Sequence, residues 1–153
     1  MVPRIMTKLG DRKEIFLRWA SAGFALLGAL DAIYLWIYKI SSNDRMCLGS
    51  GDCATVNYSI YSEIYGIPVA VLGLGAYLLI LVIHILETRW RPFEKNGNLL
   101  IFGLSLVGVL FTAYLTYIEF FVIFAVCPFC LASAFFIVLI FIIAIIRLVK
   151  NLA

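Results

Sequence analysis

Four long apolar runs constrain this chain more than anything else in it. They extend roughly from Phe16 to Tyr38, Gly66 to Leu86, Leu99 to Phe124 and Pro128 to Ile146. A helix needs about 20 apolar residues to cross about 30 Å of hydrocarbon. Backbone polar groups cannot stay unpaired in lipid, so each run has to be helical. The expected fold is an all-α integral membrane protein, a four-transmembrane-helix bundle whose outer loop, residues 39–65, bears a short helix. Composition agrees: 64% of residues are hydrophobic and 14% charged, against about half and about a quarter in a soluble domain. The 153 residues are read as a single membrane domain. The first run is too long, and too well followed by further spans, to be a cleaved leader.

Lysines and arginines set the orientation. Arg4, Lys8, Arg12, Lys13 and Arg18 precede the first run, Arg89, Arg91 and Lys95 separate the second from the third, and Arg147 and Lys150 end the fourth. Only Lys39 and Arg45 lie between the first two runs, and the turn before the fourth has neither residue type. The positive-inside rule then puts both termini in the cytoplasm and the two remaining connections outside, in a multi-pass cell-membrane protein. Trp36 and Tyr38 at one end, with Trp19 and Trp90 at the other, suit the two interfacial belts. The basic residues sit beside apolar runs as membrane anchors, so nothing points to nucleic acid.

Against this background the four cysteines carry the chemistry. Cys47 and Cys53 share the polar loop; Cys127 and Cys130 form Cys-Pro-Phe-Cys where the fourth run begins. All four fall on the outward face, where disulfides form and persist. Two close pairs separated by membrane spans read as two dithiol/disulfide couples able to trade electrons. Pro128 suits the first helical position, which puts Cys127 at the helix start and Cys130 one turn deeper on the same face. Helix N-termini and Cys-x-x-Cys spacing both favour the thiolate. The plainer alternative is a pair of structural disulfides.

In the loop, turn formers dominate from Ser41 to Asp52. A short helix is expected from Cys53 to Tyr61, with Asp52 as its N-cap. Tyr58 and Tyr61 would rest on the membrane surface as a lid. A zinc site is disfavoured, because the loop spacing is loose and no histidine lies near the thiols. His84 is expected as an interfacial side chain at the inner end of its span. Asp31 and Glu119 each sit about 12 Å from the outer end of a span. Intramembrane acids often mark a functional path, here as polar walls or proton carriers; the alternative is that they bond hydroxyls and hold helices together. Gly23, Gly28, Gly73, Gly75, Gly103 and Gly108 are expected as close-packing sites.

Two loop cysteines, then Ser59, then Gly66-Ile67-Pro68, then Cys-x-x-Cys opening the last span: this pattern resembles the vitamin K epoxide reductase family, most closely its prokaryotic members. The resemblance runs from the first span to the last. It implies a four-helix bundle that binds a quinone near the outer face. It implies that Cys47 exchanges with a thioredoxin-like partner, that Cys53 relays to Cys127, and that Cys130 exchanges electrons with the quinone. Ser59 matches the family's loop serine. Vertebrate members hold the quinone head with an asparagine and a tyrosine; those positions fall on Ser62 and Ala134 here, which favours a plain quinone of the ubiquinone or menaquinone type over an epoxide. The residues expected at the quinone are therefore Ser59, Ser62, Cys130, Ala134, Glu119 and Asp31. Some bacterial members carry a fused thioredoxin-like domain; this chain stops soon after the fourth span, so a DsbA-type partner is expected in trans.

Outside the bacterial cytoplasm, oxidation is maintained by a membrane quinone step. The expected activity is thus quinone-linked thiol–disulfide oxidoreduction supporting disulfide formation, with electrons running from partner to Cys47/Cys53, to Cys127/Cys130, to quinone. A vitamin K quinone or epoxide reductase is the related alternative. The other four-helix disulfide oxidase family, which resembles DsbA's own membrane partner, carries its cysteine pairs in the reverse order.

Overall fold

The computed structural model describes residues 2–42, 45 and 52–152, with the backbone alone at 2–7, 9, 91, 94 and 95. Four long helices dominate: α1 (Val2–Ser41), α3 (Val69–Arg89), α4 (Arg91–Ile118) and α5 (Pro128–Leu152). Each contains a stretch long and apolar enough to cross a membrane. The helices form a ring in which α1 and α4 lie on opposite corners and α3 and α5 on the other two. Large apolar side chains such as Phe16, Leu110 and Phe135 point outward and are more than half exposed, as a lipid-facing surface requires.

Prolines mark three of the helix starts. Pro68 directly precedes α3, Pro92 lies in the first turn of α4, and Pro128 is the first residue of α5. A missing N–H is harmless there, because the first turn has no intrahelical acceptor for it. Trp90, in extended backbone, separates α3 from α4.

The lid between α1 and α3 is more broken than the sequence predicts. Helix α2 covers only Asp52–Asn57, and a 3-10 turn follows at Ile60–Ser62. Asp52 is already helical rather than the N-cap. Ser59 interrupts the helix: its backbone is extended and its Oγ donates to the Val56 carbonyl at 2.7 Å, a local bond that competes with continued helix. Residues Gly66 to Pro68, expected to open the second span, instead belong to a small hairpin of β1 (Glu63–Ile64) and β2 (Ile67–Pro68), with Ile64 facing Ile67. Tyr65 and Gly66 both have positive φ, which a two-residue hairpin turn of this hand requires.

The core lies in two parts. A central apolar layer joins Ala25 and Ala29, Tyr77 and Ile80, Ile101, and Ile137, Ile140 and Ala144. Gly28 lets Tyr77 approach α1, since a Cβ there would lie 2.3 Å from the ring. Gly108 admits Ile137 in the same way, whereas Gly23, Gly73, Gly75 and Gly103 face open space and are not packing sites. The second part gathers Leu35, Tyr38, Cys53, Val56, Ala125 and Cys127. Tyr38 is therefore a core residue, 2% exposed, and not a member of the interfacial belt.

At the end remote from the cysteines, charges are buried. Arg147 Nε lies 3.3 Å from Glu14 and its Nη2 lies 3.3 Å from Glu87, while Arg18 Nε reaches Glu87 at 3.5 Å. Gly97 makes room for Glu87, whose Cγ would sit 2.4 Å from a Cβ at that position. His84 is buried here too, its Nδ1 bonded to the Ile80 carbonyl at 2.9 Å. It faces the bundle interior rather than the interface: the i−4 carbonyl of its own helix takes Nδ1, while Nε2 is buried without a hydrogen-bond partner.

Candidate functional site

Helix α4 does not end cleanly. It widens into a π turn over Glu119–Ile123 and stops at Phe124, whose φ of 54° lies in the left-handed region. The Ala125 N–H then reaches back to the Glu119 carbonyl at 3.1 Å, a bond from the residue after the left-handed one, as at many helix C-termini. The tight reversal brings Cys127 up against the helix it has just left. Glu119 Oε2 accepts the Cys127 N–H at 3.3 Å. The Cys127 carbonyl accepts from Leu131 N–H at 3.1 Å, so Cys127 sits immediately before the first helical residue, as its sequence position predicts.

Cys127 and Cys130 are free thiols. Cys127 is fully buried and Cys130 partly so. The Cys127 thiol is held below its ordinary pKa, first by the hydrogen bond from the Cys130 side chain, then by the backbone N–H groups of Cys130 and Phe129; burial and the Glu119 carboxylate oppose this. The Cys130 side chain also lies within hydrogen-bonding reach of the Glu119 carboxylate. Cys53, on α2, is disulfide-bonded and 1% exposed. It shares the second part of the core with Cys127. Cys47 lies outside the described residues.

Beneath the lid is a cavity of about 320 Å³, within the range of about 300–1,000 Å³ common for small-molecule sites. Its walls are mostly apolar and come from α1, α3, α4 and α5, while Asn57, Ser59, Tyr61, Ser62 and Ile64 roof it. Of the residues expected around a quinone, Ser59, Ser62, Glu119 and Cys130 line this cavity. Ala134 and Asp31 are not among its lining; their neighbours Ser133 and Ala32 are. Asp31 Oδ2 is buried without a hydrogen-bond partner. Tyr61 lines the cavity and Tyr58 stays half exposed, its hydroxyl 3.2 Å from Ser42 Oγ.

Two lining residues were missed in the sequence. Lys39 reads there only as one of two outward cations. Its Nζ donates to Ser62 Oγ at 2.9 Å and pairs with Glu63 at 2.8 Å, latching the lid to α1. Asn57 reads as a helix residue without a role, yet it is buried at the roof. Spacing gives a partial signal for it: Asn57 is four residues after Cys53 and so shares its helix face.

The arrangement defines a class: a four-helix membrane bundle that brings a loop cysteine and a Cys-x-x-Cys pair into one buried cluster beside an apolar cavity. Family membership agrees. The chain belongs to the vitamin K epoxide reductase family, whose profile matches residues 19–145. It is also 31% identical over 112 residues to the thiol-disulfide oxidoreductase LTO1 of Arabidopsis thaliana, a match that takes up 69% of this chain and 30% of that relative. The chain thus spans well under half the length of that protein.

Proposed function

We propose that this protein is a quinone-linked thiol–disulfide oxidoreductase. It takes electrons from a thioredoxin-like, DsbA-type protein at Cys47/Cys53 and passes them through Cys127/Cys130 to a membrane quinone of the ubiquinone or menaquinone type. The observation that carries this reading is the double placement of the Cys-x-x-Cys pair. Cys127 is buried with Cys53 on one side, and Cys130 opens on the cavity on the other.

Each thiol has a chemical reason for its part. Disulfide exchange requires an attacking thiolate. A Cys53 thiolate that attacks Cys127 Sγ breaks the Cys127–Cys130 bond and forms a Cys53–Cys127 bridge. Cys47 then attacks Cys53, which leaves the loop pair oxidised and Cys127/Cys130 as a dithiol. To close again, the Cys127/Cys130 dithiol gives up two electrons and two protons. Glu119 is placed to accept the Cys130 proton, because its carboxylate reaches that side chain and lines the cavity. A bound quinone supplies a two-electron, two-proton acceptor. The apolar walls and the lid would hold its ring and exclude water. The Lys/Arg asymmetry supports cytoplasmic termini and an outward-facing site, where a quinone-driven oxidase is needed.

Stopped-flow reduction of ubiquinone-1 with a reduced thioredoxin-like donor tests the proposal. Cys130→Ser is expected to abolish quinone reduction while the loop pair still exchanges with the donor. Reduction near the wild-type rate in that variant would remove Cys130 from the path.

A further inference from the structure

Most polar groups lining the cavity are committed to the protein itself. Ser59 Oγ donates to the Val56 carbonyl, Ser62 Oγ to the carbonyls of Asn57 and Ser59, Tyr77 OH to the Ser133 carbonyl, and Thr112 Oγ1 to the Val109 carbonyl. Lys39 is engaged by Ser62 and Glu63. Asn57 is different. It lines the cavity and is only 7% exposed. Its side-chain Nδ2 is buried and has no hydrogen-bond partner.

A buried amide without a partner is unfavourable, and native structures contain few of them. The lid nevertheless fixes the backbone that carries this one, since the Asn57 main-chain carbonyl accepts from Ser62 Oγ, which in turn accepts from Lys39. An NH₂ group held at the roof of an apolar cavity suits an acceptor that brings no proton of its own. A quinone carbonyl is such an acceptor; a lipid chain is not.

We propose that Asn57 Nδ2 is the donor that holds a carbonyl oxygen of the bound quinone. This rests on the reading of the cavity as a quinone site. Asn57 acts here as a binding residue, with no bond made or broken in the step. Because Cys53 lies one turn earlier on the same short helix, a quinone held by Asn57 also steadies the helix that carries the loop cysteine.

The test uses the full chain in nanodiscs, titrated with menadione. Asn57→Leu keeps the shape and removes the donor. It is expected to weaken menadione binding about tenfold, the loss of one well-placed hydrogen bond. The thermal midpoint without menadione should stay level or rise, because an unpaired amide has been replaced by an apolar group. Infrared spectra should place the carbonyl stretch of bound menadione lower in the wild type than in the variant. Asn57→Ala should show the same loss of affinity. Equal binding by wild type and both variants would overturn the role of Asn57 and leave the quinone site standing. A lowered midpoint in menadione-free Asn57→Leu would mark a structural amide and also overturn it. A wild type that binds no menadione would overturn the quinone site and this inference together.

Discussion

The two ends of the bundle handle buried charge in different ways. At the end remote from the cysteines, Glu14 and Glu87 meet Arg18 and Arg147, two acids against two guanidinium groups contributed by three helices. At the cysteine end, Glu119 bonds a cysteine N–H and reaches a thiol, and Asp31 Oδ2 and Asn57 Nδ2 have no partner. Cys130 and Arg147 lie 17 positions apart on α5, about 25 Å at 1.5 Å per residue. The apolar layer around Tyr77, Ile101 and Ile140 separates them. Charges that join helices are neutralised by one another. Near the thiols, Glu119 and Asp31 meet no cation among the described residues.

The largest effect should come from breaking the ion-pair end. Glu87 is wholly buried, and Glu87→Leu leaves Arg147 and Arg18 short of their counterion. Removing one partner from a buried ion pair costs about 3–5 kcal/mol. Unfolding in mixed micelles should show a loss of that order, while the folded fraction keeps its turnover per molecule. The double change Glu87→Leu with Arg147→Leu should recover much of the stability, since an apolar replacement of both partners is often tolerated. Turnover per folded molecule that falls along with stability would mean the ends are not separate.

A smaller effect sharpens the cysteine end. The Cys130 side chain is the main cause of the lowered Cys127 pKa. The thiolate is the form that reacts with alkylating agents, so a lower pKa carries Cys127 alkylation down to lower pH. The pH midpoint of that alkylation should lie below the ordinary thiol range in the wild type and move up in Cys130→Ala, which lacks the S–H donor. Mass spectrometry of iodoacetamide-treated protein across pH 5 to 10 reads it out. An unchanged midpoint would mean that the two thiols do not share a hydrogen bond.

Much of this molecule was legible in its sequence, for reasons that differ between the two ends. The spans follow from run length and from the impossibility of unpaired backbone in lipid, and Pro128 fixes where α5 begins. Cys127 and Cys130 declare themselves by spacing. The π turn at Glu119–Ile123 was hidden, because nothing in Glu-Phe-Phe-Val-Ile announces a widened helix, and it is this turn that carries the Glu119 carboxylate onto Cys127. The ionic cluster was hidden for another reason. Arg147 meets Glu14 across 133 positions and Glu87 across 60, and no local pattern encodes such pairings. Arg18 and Arg147 read only as topology signals. The available hint was the presence of Glu14 and Glu87 at an otherwise basic end. The lid fell between these cases: its short helix was expected, but Ser59 ends it early through a bond to its own backbone.

The relay between loop and α5 is the central claim, and trapping it is the most direct test. Exchange passes through a mixed disulfide, and removal of the resolving thiol holds it there. Cys47→Ser should therefore accumulate a Cys53–Cys127 bridge, with Cys130 left as a free thiol beside the cavity. Non-reducing peptide mapping of that variant, purified from the membrane, is the measurement. The Cys53–Cys127 peptide as the dominant species is the predicted result; a bridge from Cys53 to Cys130, or no bridge between the loop and α5, would contradict the path.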